Sequence, residues 1–157
     1  MKHTISVMVE NKFGVLARVA GLFSARGYNI SSLAVSETLD PGISCMTIVV
    51  DTKDEAILEQ IEKQLNKLID VITVADVTKK EHVDRELVLA KVSYFAKDKT
   101  KLENILSKFV AKLIQHKEDS AIIEAVGDQA QIKQLLEELG RFGVKELVRT
   151  GRIAMAY

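Results

Sequence analysis

Residues Val7–Ser32 read VMVENKFGVLARVAGLFSARGYNISS, and the change of rhythm inside this stretch decides the fold. Ile5, Val7 and Val9 alternate with polar or flexible neighbours up to Glu10-Asn11, the period of a strand with one buried face. From there the period lengthens. Val15, Leu16, Val19, Leu22 and Phe23 recur at helical spacing, and Gly27 after Arg26 supplies a stop. Asn29-Ile30 then opens a second extended run. Strand, corner, helix and returning strand make a βαβ step whose corner is Asn11-Lys12-Phe13-Gly14.

That corner has a chemistry of its own. Backbone N–H groups at a helix start attract a carboxylate, and Asn amides both donate and accept hydrogen bonds. Gly14 permits a tight turn and a close approach without a Cβ in the way, while Asn11 either caps the helix or faces a ligand. The plain alternative is an ordinary turn and cap, since Asn and Gly are the commonest residues in both. A second amide tips the balance: Asn29 is read as returning beside the same loop, so the corner suits a small zwitterion.

Outward from this stretch the grammar continues. Ile30 to Thr38 and Ile43 to Asp51 are β-compatible runs around Asp40-Pro41-Gly42, where Pro presets φ and Gly accepts φ > 0. Asp54 to Asn66 places Ile57, Leu58, Ile61 and Leu65 on one helical face, and Val71 to Val77 closes a βαββαβ unit. After the polar segment Thr78 to Arg85 the order repeats: strand Leu87 to Phe95, helix Lys99 to Phe109, and a hairpin of Ala111 to Gln115 with Ala121 to Val126. A helix carrying Ile132, Leu135, Leu136 and Leu139 follows, then a final run from Val144 to Met155. The expectation is α+β: two consecutive ferredoxin-like βαββαβ units, residues 1–78 and 79–157, each with helices on one face of an antiparallel sheet. On the other face of the first sheet we expect Met46, Ile48, Leu33 or Val35, too apolar to stay bare, so that copies of the chain associate.

Composition removes whole classes of function. Twenty-two basic residues balance twenty-two acidic ones, which argues against an electrostatic pull toward nucleic acid or an anionic membrane. The strands around Ile5 and Cys45 carry none of the aromatics on which bases stack. No apolar run approaches the roughly 20 residues that span a bilayer, and the expected location is cytoplasmic. Cys45 has no second cysteine for an intrachain bridge and reads as a small buried residue. His3, His82 and His116 lack a second ligand at metal spacing and read as ordinary exposed histidines. No glycine-rich nucleotide motif occurs, so no cofactor is expected on this chain. A small hydrolase like the acylphosphatases would need an Arg near the first loop and an Asn on the sheet. Arg18 and Asn29 are the only material, and Arg18 sits a turn inside its helix.

The chain resembles the regulatory small subunits of acetohydroxyacid (acetolactate) synthase. The resemblance is carried by Val9-Glu10-Asn11, Gly14-Val15-Leu16, Arg18-Val19, Gly21-Leu22-Phe23-Ser24 and Arg26-Gly27-Tyr28-Asn29-Ile30. It extends through Met46-Thr47-Ile48, Gln60 to Leu65, Lys67-Leu68 and Arg85-Glu86-Leu87 to Phe142-Gly143 and Lys145 to Gly151. It implies an N-terminal ACT domain followed by the family's second ferredoxin-like domain. It also implies a noncatalytic chain that activates a separate catalytic subunit holding thiamine diphosphate, Mg²⁺ and FAD, with feedback inhibition by valine bound between the ACT domains of a homodimer. Carried over residue by residue, the effector site is Asn11, Gly14 and Asn29, with Phe13, Val15, Leu16 and Ile30 as walls or backbone contributors. The other reading of the residues is a free-standing amino-acid sensor or adaptor with a different protein target.

Overall fold

The computed structural model describes residues 2–157. The chain divides into two compact units, one running to Val83 and including Arg152–Tyr157, the other Asp84–Gly151. The six C-terminal residues therefore pack with the first unit, where the sequence reading had placed them in the second. Within the first unit Arg152 N donates to Ser32 Oγ (3.0 Å), Arg152 Nη1 to Thr4 Oγ1 (3.2 Å) and Tyr157 N to Glu81 O (3.1 Å).

The first unit runs β1 (Lys2–Glu10), α1 (Val15–Ala25), β2 (Ile30–Glu37), β3 (Ile43–Asp51), α2 (Glu55–Leu65) and β4 (Val71–Asp76). Its sheet order is β2-β3-β1-β4 with every pair antiparallel. The register places Ile5 opposite Ile48 and Val7 opposite Met46, so these four share one face. That face packs on Val19 and Phe23 of α1 and Leu58, Ile61 and Leu65 of α2 in one core. Met46 and Ile48 thus lie under the helices, against expectation, because side-chain parity ties them to the Ile5–Val7 row. The same parity puts Leu33 and Val35 on the helix side. The opposite face is mixed, with small and polar side chains beside Met8 and Val49: Ser6 lies across from Thr47, Thr47 across from Ala34, and Met8 across from Cys45. Cys45 is half-buried there, its Sγ 3.8 Å from Ser6 Oγ. In the β2–β3 turn Gly42 keeps a negative φ, and Asp40 Oδ1 accepts its N–H at 2.8 Å, so a side chain stabilises the turn.

The second unit repeats the order with β5 (His82–Ser93), α3 (Lys99–Leu106), β6 (Ala111–Lys117), β7 (Ser120–Gly127), α4 (Gln129–Leu139) and β8 (Val144–Arg149), in sheet order β6-β7-β5-β8. Val88, Ala90 and Val92 face Ala125, Ile123 and Ala121 across the strands, under Leu102, Ile105, Ile132, Leu135 and Leu139. Besides hairpin strands one or two residues longer than read, three boundaries differ from the sequence reading. β5 begins at His82 because its charged residues find partners, Glu86 meeting Arg149 Nε and Nη2 at 2.6 and 2.7 Å. α3 ends at Leu106, where Ser107 Oγ donates to Asn104 O at 3.0 Å. The final run is two strands, since Gly151 at φ +81° turns the chain between β8 and β9 (Ile153–Ala156).

Candidate functional site

β1 ends at Glu10, and four residues later α1 begins on Gly14, whose φ of +81° and ψ of −4° are readily adopted only without a Cβ. No side chain caps α1 and its first turn holds no acid, which leaves first-turn N–H groups without an intrahelical acceptor and with the positive end of the helix bare. α2 and α4 are closed by Asp54, which accepts from Ala56 N at 2.8 Å, and by Asp128, which accepts from Gln131 N at 2.9 Å.

The expected site residues fall into two groups. Asn11 does not cap the helix. Its Nδ2 donates to Glu37 Oε1 (3.1 Å) and Pro41 O (2.9 Å), and its backbone N–H to Gly42 O (2.8 Å), so the loop is fastened to the β2–β3 turn. Phe13 is fully exposed and Leu16 is 44% exposed, while Val15 is buried in the core and forms no wall of an open site. Asn29 and Ile30 lie elsewhere. Ile30 pairs across β3 with Val50, which faces His3 at the start of β1, whereas Asn11 follows the end of that strand. Seven strand steps of about 3.3 Å put roughly 23 Å between the two ends. The corner that the sequence reading drew around both amides is therefore not assembled within one chain. Asn29 is exposed at the far end and Ile30 leans on the core.

Two residues that the reading did not place in the site stand beside Gly14. Arg18 Nε and Nη2 meet Asp70 Oδ2 at 2.8 and 2.7 Å, and its Nη1 lies 3.2 Å from the position a Cβ on Gly14 would take. The guanidinium reaches the loop after all, because a helical side chain points back toward the N-terminus of its helix. That direction was available from the sequence; Asp70, fifty-two residues on, carried no signal. Lys12 pairs with Glu10 at 2.5 Å, and that hydrogen bond and the carboxylate charge hold its pKa above the ordinary lysine value.

His3 is buried, contrary to expectation, because it stands on the core side of β1 opposite Val50. Its Nδ1 lies 3.9 Å from the buried Asp76 Oδ2, and neither atom has a hydrogen-bond partner among the described residues. Also among the described residues, no group of three or more His, Cys, Asp or Glu is placed to hold a metal ion, and no helix is long and apolar enough to cross a membrane.

Residues 5–73 match the family model of the AHAS small subunit-like ACT domain, and residues 85–157 that of the small subunit of acetolactate synthase. The chain belongs to the acetolactate synthase small-subunit family. The probable acetolactate synthase small subunit of Archaeoglobus fulgidus is 46% identical over 155 residues, 99% of this chain and 96% of that one. The Bacillus subtilis small subunit is 41% identical over 156 residues, 99% and 91% of the two chains. The crystal structure of the Thermotoga maritima small subunit superposes with a TM-score of 0.87 at 38% identity, covering 100% of this chain and 98% of that one. The family and the two ferredoxin-like units, the first an ACT domain, are as the resemblance implied. The first of these units carries the Asn11–Gly14 corner.

Proposed function

We propose that this chain is the noncatalytic regulatory partner of a separate acetolactate synthase catalytic subunit, that it activates that subunit, and that valine bound between the ACT domains of two copies withdraws the activation. Thiamine diphosphate, Mg²⁺ and FAD belong, in this reading, to the catalytic chain, and the complex works in the cytoplasm. The observation that carries the proposal is the separation of the two amide groups. Residues 11–16 lie at one end of the first sheet and residues 29–30 at the other, and β2 is an edge strand. If two copies pair through β2 about a two-fold axis, the strands run antiparallel and one end of each sheet edge comes beside the opposite end of its partner. Each of two equivalent sites then takes its loop from one chain and Asn29-Ile30 from the other.

The composition of β2 supports that pairing. Its sequence, ISSLAVSE, has none of the lysines or prolines that blunt exposed edges. In the composite site the carboxylate of valine meets the uncapped start of α1, its ammonium meets the amide oxygens, and its isopropyl group rests on apolar surface at the seam. Valine changes activity only by binding one arrangement of the dimer more tightly than another, so the favoured arrangement must be the one that supports the catalytic chain poorly.

Purified chain mixed with a matched catalytic subunit should raise acetolactate formation, the chain alone should form none, and valine should remove much of the gain. Mixed dimers test the shared site. Asn11→Ala and Asn29→Ala homodimers should each lose valine sensitivity, whereas the heterodimer of the two regains one intact site, with both defects gathered in the other. No recovery in the heterodimer would place both amides in a site within one chain and overturn the shared arrangement.

A further inference from the structure

We infer that Arg18 and Asp70 are positioning residues of the effector site: together they clamp the Asn11–Gly14 loop in the shape that receives the ligand. This inference rests on the reading of that loop given under the proposed function.

Asp70 holds both ends of the loop. Its carbonyl accepts the N–H of Glu10, the last residue of β1, at 2.8 Å, and its carboxylate takes two nitrogens of Arg18, one turn inside α1. Asp70 itself is fixed. It is buried, and it follows Leu68, whose N–H is bonded to Leu65 O (3.0 Å) and whose carbonyl accepts Val71 N (3.1 Å) at the end of α2. A carboxylate so poorly hydrated depends on its cation, and a charge-assisted hydrogen bond from Nε together with the ion pair to Nη2, both on Oδ2, holds the guanidinium in position. The third nitrogen, Nη1, is thereby held against Gly14, 3.2 Å from where a Cβ would stand. The guanidinium is thus the floor beneath the one residue of the loop whose backbone is left-handed.

Past Asn11 the loop has little else to hold it. Asn11 ties it to the β2–β3 turn, while Lys12 N and Val15 N bond only within the corner, to Glu10 O (2.9 Å) and Lys12 O (3.3 Å). Without the clamp the Lys12–Gly14 backbone and the first turn of α1 gain freedom that a ligand must remove again on binding, so affinity falls although no contact to the ligand is lost. The α1 core face, from Val15 to Phe23, stays in place, so the fold and any partner surface away from the loop are retained.

The test uses the full chain and valine as the probe, with titration calorimetry and amide hydrogen exchange. Arg18→Ala and Asp70→Asn should each raise the valine Kd about tenfold, the size of one charged hydrogen-bond network lost. The double variant should be little worse than either, because the two act as one unit, and Arg18→Lys should recover part of the loss. In the ligand-free variants exchange at residues 11–17 should quicken while β1 and β3 keep their protection. Asp70→Asn, nearly isosteric, carries the test should Arg18→Ala fold poorly. Wild-type affinity in both single variants, with wild-type chain binding valine normally, overturns the clamp alone. Absence of valine binding by the wild-type chain overturns the functional reading and the clamp with it.

Discussion

The two units share a topology, and the corner after the first strand shows what each does with it. In the first unit the corner is Asn11-Lys12-Phe13-Gly14, with a left-handed glycine and a helix start that no side chain caps. In the second it is a 3₁₀ turn, Ala96–Asp98, and Asp98 Oδ2 accepts the N–H of Phe95 at 3.3 Å. α3 too starts without a side-chain cap, so the corners differ in the left-handed Gly14 of the first and in the turn that the Asp98 carboxylate holds ahead of the helix in the second. The edge strands differ in the same sense: β2 has no lysine, whereas β6 carries Lys112 and Lys117. A glycine corner beside an edge without lysine can take a closely approaching ligand and a second copy; a turn held by its own side chain beside a charged edge is suited to remaining unpaired.

Gly14→Asp should have the largest effect on this contrast. It brings a carboxylate to the start of α1 and adds left-handed strain with a Cβ 3.2 Å from Arg18 Nη1. The new carboxylate competes with Asp70 for the guanidinium and repels the anionic end of the effector. Valine affinity should fall about a hundredfold, more than 2 kcal/mol by the logarithmic relation, with activation of the catalytic subunit spared. Calorimetry and the coupled assay check it, and unchanged valine sensitivity would remove Gly14 from the site.

Asp98→Ala probes the other side of the comparison with a smaller effect. The turn ahead of α3 loses the acceptor of the Phe95 N–H, and local opening of that turn should become easier by about 1 kcal/mol, read from amide exchange of residues 95–98. Valine binding should not change. A shift in valine affinity would mean that the two corners are not independent, and the contrast would have to be redrawn.

The order of elements was legible because apolar period switches cleanly between two and about 3.6 residues along both units, and turn residues punctuate each switch. What escaped was geometry across distance. Asn29 was read as returning to the loop of Asn11, yet an α-helix of eleven residues climbs about 16 Å and delivers the chain to the far end of the sheet. Helix length alone held that information. Met46 and Ile48 were assigned the outer face because a strand's own alternation does not say which face is which; only the pairing with Ile5 and Val7 does. The Arg18–Asp70 contact joins residues fifty-two apart and leaves no local pattern. The early start of β5 hid for a different reason: His82 to Arg85 read as polar linker, and the partner of the Glu86 that follows, Arg149, lies sixty-three residues downstream.

The smallest effect concerns how the two units treat their carboxylates, and it should appear as opposite responses to acid. On α2 of the first unit, partial burial pushes the Glu62 carboxyl above its ordinary value, and the charge of Asp76 pushes it further against the pull of Lys79. The folded state then holds that proton more tightly than the unfolded chain, so Glu62 costs stability above the ordinary glutamate range, about pH 4.3, and costs none once both states are protonated. In the second unit Asp119 and Glu146 are held below their ordinary values by hydrogen bonds from Lys145 and Lys91 and by the charges of those lysines. Their contribution is present at neutral pH and is lost as pH falls through their folded-state values. Glu62→Gln should therefore steady α2 at pH 7, by less than about 1 kcal/mol for a side chain that remains partly hydrated, with the gain shrinking toward pH 4. Lys145→Met should do the reverse in the second unit, loosening the β6–β7 turn at pH 7 and making no difference in acid. Amide exchange at both pH values, read separately for α2 and for residues 117–120, distinguishes them; a common direction in the two units would show that their carboxylates are not set apart in this way.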